Sequence, residues 1–322
     1  MGSLKTVNDT SLIEGYSKSH LKSFFGHTEF VYIKGTANSF DESCIDHTDG
    51  NSIAGVQRKV FMRLEDGVLI PSNCGEYIVK PTPKAFDSLS ENEHAIMKLC
   101  EAVGIKTAQC SVMPFEDGEL AFISKRFDLI KNSKNKLFIE DGASVCQVSP
   151  QNKNNSSLSY EKTIKKMVDS CAGAQAAALT ALRMLIFSYV VGNNNMHLKN
   201  FSLYRKNTNK TVIFDGFTPV YDMLSVAPYS HFFDKELSIR LLEVEALNGD
   251  PSRVYGDYTF KDFYRLAQSL AISANAAEKL ILNFIAAIEK KASPILHNSN
   301  LPEHLKDFLL SRIMDKCRDM RR

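Results

Sequence analysis

The sequence predicts an α+β fold of two lobes, in which a β-rich first lobe is followed by an all-α second lobe. Residues 52–127 alternate short apolar runs with turn signals, a pattern typical of strands and hairpins. Residues 160–316 instead repeat apolar side chains at the spacing of amphipathic helices. Because polar loops rich in Asn, Lys and Ser separate the two patterns, we predict an N-terminal extension, a β-rich lobe and a helical lobe, at residues 1–51, 52–130 and 131–322.

Composition excludes several classes of protein. The chain has 322 residues of which 44% are hydrophobic, so it is long and apolar enough for a sizeable core. Its 39 basic and 37 acidic side chains leave a net charge of +2, which argues against a dedicated nucleic-acid binder. The 7 cysteines form no Cys-x-x-Cys pair and are interpreted as reduced, mostly buried thiols. With no signal segment at the start, we expect a cytoplasmic protein without a membrane anchor.

The expected elements follow in chain order. Strands are predicted at residues 56–62, 68–70 and 77–80, and a hairpin at residues 110–127. A helix over residues 90–104 is indicated by Ser90 and Glu93, which match a capping box, and by Gly104 at its end. The apolar run at 176–191 is too short to span a bilayer and is predicted to be a buried helix. The second lobe is predicted to contain helices at residues 160–170, 173–191, 260–272, 276–291 and 302–316.

Residues 52–59, Ser-Ile-Ala-Gly-Val-Gln-Arg-Lys, form a candidate phosphate-binding loop. Small side chains let backbone N–H groups approach a phosphate, and two cations follow at once. Taken by itself the segment is more simply explained as a turn that enters a strand.

Lys80 is a second candidate, because it ends an apolar strand about 20 residues after that loop. A lysine so placed can contact the phosphates of a nucleotide, and Glu91 or Glu93 of the following helix can pair with it. The simpler interpretations are a solvated lysine and, for Glu93, a helix cap.

The strongest cluster of polar residues lies at 192–202, directly after the predicted buried helix. Amide, imidazole and ammonium groups build a core poorly and line a site well. Asp222 follows about 20 residues later between apolar neighbours. Asp222 and Asn200 are therefore candidate magnesium ligands, although a carboxylate in such a run can also cap a turn.

Taken together in chain order, these motifs resemble the HipA-like serine/threonine kinases, which are toxins of bacterial toxin–antitoxin systems. The resemblance extends from Ser52 to Asp222 and includes Ser-x-Ala-Gly-x-Gln-x-Lys at 52–59, Glu-Asn-Glu at 91–93 and Lys-Arg-Phe-Asp at 125–128. It also includes the strand lysine, the family loop Asp-x-His-x-Lys-Asn at 195–200 and Tyr-Asp at 221–222.

The resemblance implies a two-lobed protein-kinase-like fold that binds ATP and Mg²⁺, with Asn200 and Asp222 as metal ligands. It also implies that Ser52 is a regulatory autophosphorylation site. The ATP-binding residues that it implies are Ala54, Gly55, Val56, Gln57, Arg58, Lys59, Lys80, Lys125, Arg126, Phe127, His197, Leu198, Lys199, Asn200, Tyr221 and Asp222.

The chain departs from the family pattern at Asn195, where the family has its catalytic Asp. An amide cannot accept the proton of the attacking hydroxyl, and general base catalysis contributes ~10²–10⁴ in rate. We therefore expect this chain to bind ATP and to transfer phosphate poorly. A natural pseudokinase and an introduced inactivating substitution both explain Asn195, and the retention of Lys80, Asn200 and Asp222 favours the second.

The leading functional hypothesis is a kinase toxin that phosphorylates a translation enzyme, for which the family implies an aminoacyl-tRNA synthetase. A small-molecule phosphotransferase and a non-catalytic ATP-binding partner are the alternatives. Only 51 residues precede Ser52, which resembles the short HipT-type kinases of HipB/HipS/HipT systems. The implied partners are a small HipS-like protein that supplies an N-terminal subdomain and a DNA-binding HipB-like antitoxin, so that contact with DNA is indirect.

Overall fold

The structure is a computed structural model, which describes residues 12–13, 15–40, 48–52, 57–130, 133, 135–155, 157–206, 211–243 and 257–321. Within these residues no helix is both long enough and apolar enough to cross a membrane. The six cysteines that lie in the described ranges are free thiols, and four of them are buried. Cys44 lies outside the described residues.

The N-terminal half is built on a seven-stranded sheet. A small hairpin of β1 (Leu12–Ile13) and β2 (Tyr16–Ser17) and helix α1 (Lys18–Phe25) come first. The strands of the sheet lie in the order β3-β6-β5-β7-β9-β8, with β4 paired to β5, and only the pairing of β3 with β6 is parallel. They are β3 (Tyr32–Ile33), β4 (Thr48–Ser52), β5 (Gln57–Glu65), β6 (Val68–Pro71), β7 (Tyr77–Pro81), β8 (Cys110–Pro114) and β9 (Leu120–Lys125).

The register of this sheet follows from its apolar alternation. Val60 of β5 lies opposite Val79 of β7, which in turn lies opposite Ile123 of β9. All three side chains are fully buried, and they pack in one cluster with Leu21 and Phe24 of α1. Because side chains alternate between the faces of a strand, the next residue after Val79, Lys80, points to the opposite face.

Helix α2 (Leu89–Ala102) is the helix expected between the strands, but its start differs from the prediction. The capping box at Ser90 is wrong: the helix begins one residue earlier, after Ser88, and the Ser88 side chain makes no cap. Ser90 lies inside the helix, where its hydroxyl donates to the backbone oxygen of Lys80. The predicted glycine at the end is confirmed, since Gly104 has a φ of 85° and the N–H of Ile105 closes onto Cys100.

The second half is helical, as predicted, and it also contains a small sheet that the pattern did not predict. Helix α5 lies at its centre, with most of its residues buried on all sides. Strands β10, β11 and β12 form an antiparallel sheet beside it. The elements are β10 (Phe138–Asp141), α3 (Gly142–Cys146), α4 (Tyr160–Ser170), α5 (Gln175–Val191), β11 (Ser202–Arg205), β12 (Gly216–Phe217), α6 (Phe260–Ser269), α7 (Ala274–His297) and α8 (Glu303–Asp319).

The two-lobed α+β fold is thus confirmed, and the lobes are joined by backbone pairing as well as by the chain. The N–H of Val220 donates to the oxygen of Lys106 at 2.8 Å, and the N–H of Ala108 donates to the oxygen of Val220, also at 2.8 Å. This bridge holds the segment that leads to Asp222 against the edge of the β-rich half.

Candidate active site

Lys80 occupies the centre of the site, on the face of β7 that points away from the cluster around Val79. Its side chain is only 2% exposed, and its Nζ donates to Oε1 of Glu93 at 2.7 Å and to Oδ1 of Asp222. The ring of Phe122, opposite it on β9, lies with its centroid 5.2 Å from the same nitrogen. A solvated surface lysine is therefore excluded.

Burial shifts the pKa values of these three groups, and the charges of their neighbours oppose the shifts. Burial by itself lowers the pKa of Lys80, but the carboxylates of Asp222 and Glu93 more than offset this and raise it, so the ammonium is retained. Burial raises the pKa of Glu93 to about 7 even though Lys80 opposes the shift. Burial also acts to raise the pKa of Asp222, but Lys80 and Lys59 outweigh it and lower that pKa. Asp222 is therefore ionised, whereas Glu93 is divided between its charged and neutral forms near pH 7.

Asp222 stands in a backbone conformation that few residues adopt. Its φ is 54°, in the left-handed region, and it is not a glycine. Such a conformation persists only where the surrounding structure fixes it, and it recurs at functional sites. Because the Asp222 carboxylate contacts Lys80, the alternative role as a turn cap does not explain its position.

The asparagine-rich loop begins where α5 ends at Gly192. Asn193 is fully buried, and its Oδ1 accepts the N–H of Asn195 at 3.0 Å. The Nδ2 of Asn200 donates to the backbone oxygen of Asn195 at 2.8 Å, and the N–H of His197 donates to the same oxygen at 2.8 Å. These bonds fix the loop from within and leave the Oδ1 of Asn200 as the atom suited to a hard cation.

The other predicted residues of this loop differ in exposure. Burial lowers the pKa of His197 to about 4, so the imidazole is neutral at pH 7. Its Nδ1 is buried and has no hydrogen-bond partner among the described residues. Leu198 is fully buried in the core, whereas Lys199 is exposed and offers its backbone oxygen to the hydroxyl of Tyr221 at 2.9 Å.

A cavity of about 330 Å³ opens beside Lys80, within the ~300–1,000 Å³ range of small-molecule pockets. Its lining combines Lys59, Lys80 and Asp222 with apolar side chains and the chain segment at 125–128. Such a lining suits a ligand that has an apolar part and an anionic part. The apolar and aromatic lining consists of Ile78, Ala108, Phe127, Leu137, Ile139 and Tyr221.

The segment at 125–128 lines this cavity, although two of its side chains are engaged elsewhere. The Nζ of Lys125 donates to the backbone oxygen of Phe24 at 3.2 Å, and Arg126 is paired with Asp128 at 2.6 Å. Phe127 lies with its ring centroid 5.8 Å from that of Tyr221. The backbone N–H groups of Lys125 and Arg126 are engaged as well, since they donate to the oxygens of Gln109 and Glu76, each at 2.8 Å.

The predicted phosphate loop is described only at its two ends. Ala54, Gly55 and Val56 lie outside the described residues. Ser52, the last residue of β4, is paired with Gln57, the first of β5, so the loop connects two neighbouring strands. Arg58 and Lys59 follow on β5, and Lys59 reaches the cavity.

Asn92 is a residue of this site that the sequence reasoning did not single out. It is fully buried on α2 next to Glu93, and its side-chain amide bonds to the backbone of Ser225, three residues after Asp222. The available signal was a polar residue inside the Glu-Asn-Glu motif on the buried face of a helix.

The donor set suits a nucleotide with a divalent cation. Asn200 and Asp222 supply two oxygen atoms of the kind that Mg²⁺ prefers, and the ionised Asp222 carboxylate favours a cation there. Lys59 and Lys80 line the same cavity as Asp222 and supply positive charge for phosphates.

The chain is similar in sequence or in fold to several known proteins. A protein of Haemophilus influenzae named "Putative kinase" is 28% identical over 95% of this chain and 93% of its own length. "Putative kinase Y4dM" of Sinorhizobium fredii is 31% identical over 55% of this chain, which spans 46% of that relative. HipA of Shewanella oneidensis, solved in a complex with HipB and operator DNA, shares the fold with a TM-score of 0.67 at 18% identity, over 83% of this chain and 64% of that one.

The family comparison covers the same part of the chain as the site. The HipA-like C-terminal domain matches residues 51–292, which include β5, Lys80, the asparagine-rich loop, Asp222 and most of helix α7. Since this match covers well over half of the sequence, the chain belongs to the HipA-like C-terminal domain family.

Proposed function

We propose that this chain is a HipA-type serine/threonine protein kinase, the toxin of a toxin–antitoxin system, which binds ATP with Mg²⁺. The observation that carries the proposal is the buried Lys80, which is paired with Glu93 and Asp222 and lines a cavity that also contains Lys59 and several apolar side chains. The family membership and the kinase names of the relatives support it.

In this proposal each group of the site has one task. Lys80 and Lys59 bind phosphate oxygens, and the apolar lining of the cavity encloses the base. Asn200 and Asp222 would hold Mg²⁺, which when bound would supply positive charge to neutralise the phosphates. Glu93 keeps the Lys80 ammonium in place through their ion pair.

Asn195 supports a low activity of the chain as it stands. It occupies the position of the family's catalytic Asp, where a carboxylate would accept the proton of the acceptor hydroxyl. A non-catalytic ATP-binding protein is for this reason the second candidate function, and the same residue supports it.

The proposal also covers how the kinase is regulated and which proteins it binds. We propose autophosphorylation at Ser52, supported by its place at the start of the phosphate loop, next to β5. A HipB-like antitoxin as partner is supported by the Shewanella HipA–HipB–operator complex. The HipT subtype, the HipS-like small protein and an aminoacyl-tRNA synthetase as substrate rest on the motif resemblance.

Two asparagines of one loop allow a matched test. Asn195→Asp places a carboxylate at the catalytic position, and Asn194→Asp places the same charge one residue away, where Asn194 contacts the backbone of Phe232. With labelled ATP and cell lysate, Asn195→Asp should raise protein labelling by ~10²–10⁴ over the unsubstituted chain, and Asn194→Asp should not.

The outcomes separate the functions. ATP binding by all three proteins with no labelling by Asn195→Asp supports the non-catalytic candidate, and label confined to small molecules excludes a protein kinase. If calorimetry detects no binding of ATP in the presence of Mg²⁺, the nucleotide site itself is wrong.

A further inference from the structure

The segment after Asp222 packs on Leu89 of α2 through Leu224 and Val226, and it is hydrogen-bonded to the same helix by the side chain of Asn92. Its Nδ2 donates to the backbone oxygen of Ser225 at 2.9 Å, and its Oδ1 accepts the N–H of Ser225 at 2.9 Å. The amide therefore pairs with Ser225 as a neighbouring strand would. Both residues are fully buried, so water cannot replace either bond.

This attachment lies on the same turn of α2 as the residue that holds Lys80. Glu93, the next residue, bonds Lys80, and Lys80 bonds Asp222. Polar contacts thus connect helix α2 to the segment of Asp222 in two places. Glu93 reaches the Asp222 side chain through Lys80, and Asn92 bonds the backbone three residues later. The Nδ2 of Asn92 also lies 3.2 Å from the hydroxyl of Tyr229, which donates to the backbone oxygen of Asp87.

The backbone of Asp222 is held both before and after this residue. Its φ of 54° lies in the left-handed region, and a non-glycine residue remains there when the surrounding structure over-determines its backbone. The pairing of Val220 with the segment at 106–108 supplies the constraint before Asp222, and Asn92 supplies the one after it.

We propose that Asn92 is a positioning residue, which fixes the Asp222 carboxylate for a divalent cation by clamping the backbone of Ser225. This inference rests on the proposed nucleotide site, but it assigns a role that the metal ligands and Lys80 do not have. Asn92 does not line the cavity beside Lys80. Its loss should therefore reduce the contribution of Mg²⁺ to ATP affinity and leave the nucleotide pocket unchanged.

The test compares ATP affinity with Mg²⁺ and with EDTA, by calorimetry on the full chain. In Asn92→Ala the gain in affinity due to Mg²⁺ should fall about tenfold, the order expected for the loss of two buried hydrogen bonds, while affinity in EDTA stays within about twofold. The control is Cys100→Ala, which removes a fully buried atom from the same helix away from the loop. Its gain from Mg²⁺ should be unchanged.

An unchanged gain in Asn92→Ala, or an equal loss in Cys100→Ala, would overturn the proposal. Failure of the unsubstituted chain to bind ATP would instead overturn the proposed function on which it rests. Should Asn92→Ala not fold, Asn92→Ser leaves a smaller cavity and carries the same expectation. Hydrogen exchange needs no variant: the Ser225 amide must exchange as slowly as the buried amides of β7, and exchange at loop rates overturns the clamp.

Discussion

Replacement of Gly192 by alanine offers a direct test of how tightly the asparagine-rich loop is packed. Gly192 has a φ of 75° at the end of α5, and its backbone oxygen accepts the N–H groups of Val226 and Ala227. An added Cβ would lie 2.6 Å from the Cβ of Ala227 and 2.5 Å from the Nε of Arg312. The first contact is to an atom attached directly to the backbone, so relieving it must move one of the two segments.

The expected cost has two parts. The left-handed backbone strains an alanine by ~1–2 kcal/mol, of which ~0.4–1 kcal/mol is returned through the unfolded state. Overpacking adds ~1–3 kcal/mol. Gly173 isolates the first part, because its φ is 68° and an added Cβ would meet nothing within 4 Å.

Urea denaturation of Gly192→Ala and Gly173→Ala, each against the unsubstituted chain, measures the difference. We expect losses in the free energy of unfolding of about 2–4 kcal/mol for Gly192→Ala and about 1 kcal/mol for Gly173→Ala. Equal losses would refute the close packing of Gly192 against Ala227.

Two further predictions concern a buried histidine, His94, and a partly buried carboxylate, Glu236. Burial lowers the pKa of His94 from 6.5 to about 3, so its contribution to stability is complete above pH 6.5 and is lost as the pH falls towards 3. Between pH 7 and 5 His94 should lower the free energy of unfolding by about 2 kcal/mol, and urea titrations of His94→Gln that keep the full pH dependence would contradict this. Glu236 accepts from Arg312 and, at 3.0 Å, from Lys316, so Glu236→Gln should cost ~1–3 kcal/mol of unfolding free energy. The exposed pair of Lys98 with Glu101 is its control, since Glu101→Gln should cost under ~1 kcal/mol, and equal losses would contradict a stabilising role for Glu236.

Most helices and strands could be predicted because caps, turn residues and apolar periodicity lie within the segment that they describe. Helix α4 runs over 160–170 as predicted, since Ser159 caps it and its apolar residues recur on one face. The sheet of β10, β11 and β12 was missed because its strands are short and because β10 pairs with β11 across about 60 residues of sequence. No local pattern reports such a pairing.

The site was predictable to the extent that its residues are chemically unusual for their place. Lys80 and Asp222 stood out as charges in apolar runs, and the structure brings them into contact. Glu93 could equally cap a helix or face the site, and only the fold decides between the two. Asn92 was overlooked because its partner is a backbone group 133 residues away, which no side-chain pattern records.

Helix α2 belongs to the β-rich half by its position in the chain, but it packs against both halves. It contacts β8 and β9 as well as α7, and Ala95, Ile96 and Leu99 join the same buried cluster as the helices from α4 to α8. A fragment that ends before residue 131 would expose this apolar surface of α2 to water. The helices of the second half, without α2, would likewise leave part of their core exposed. Folding of the two halves is therefore coupled. During synthesis the first half can complete its folding only after the second half has been made, and we expect denaturation to follow a single cooperative transition.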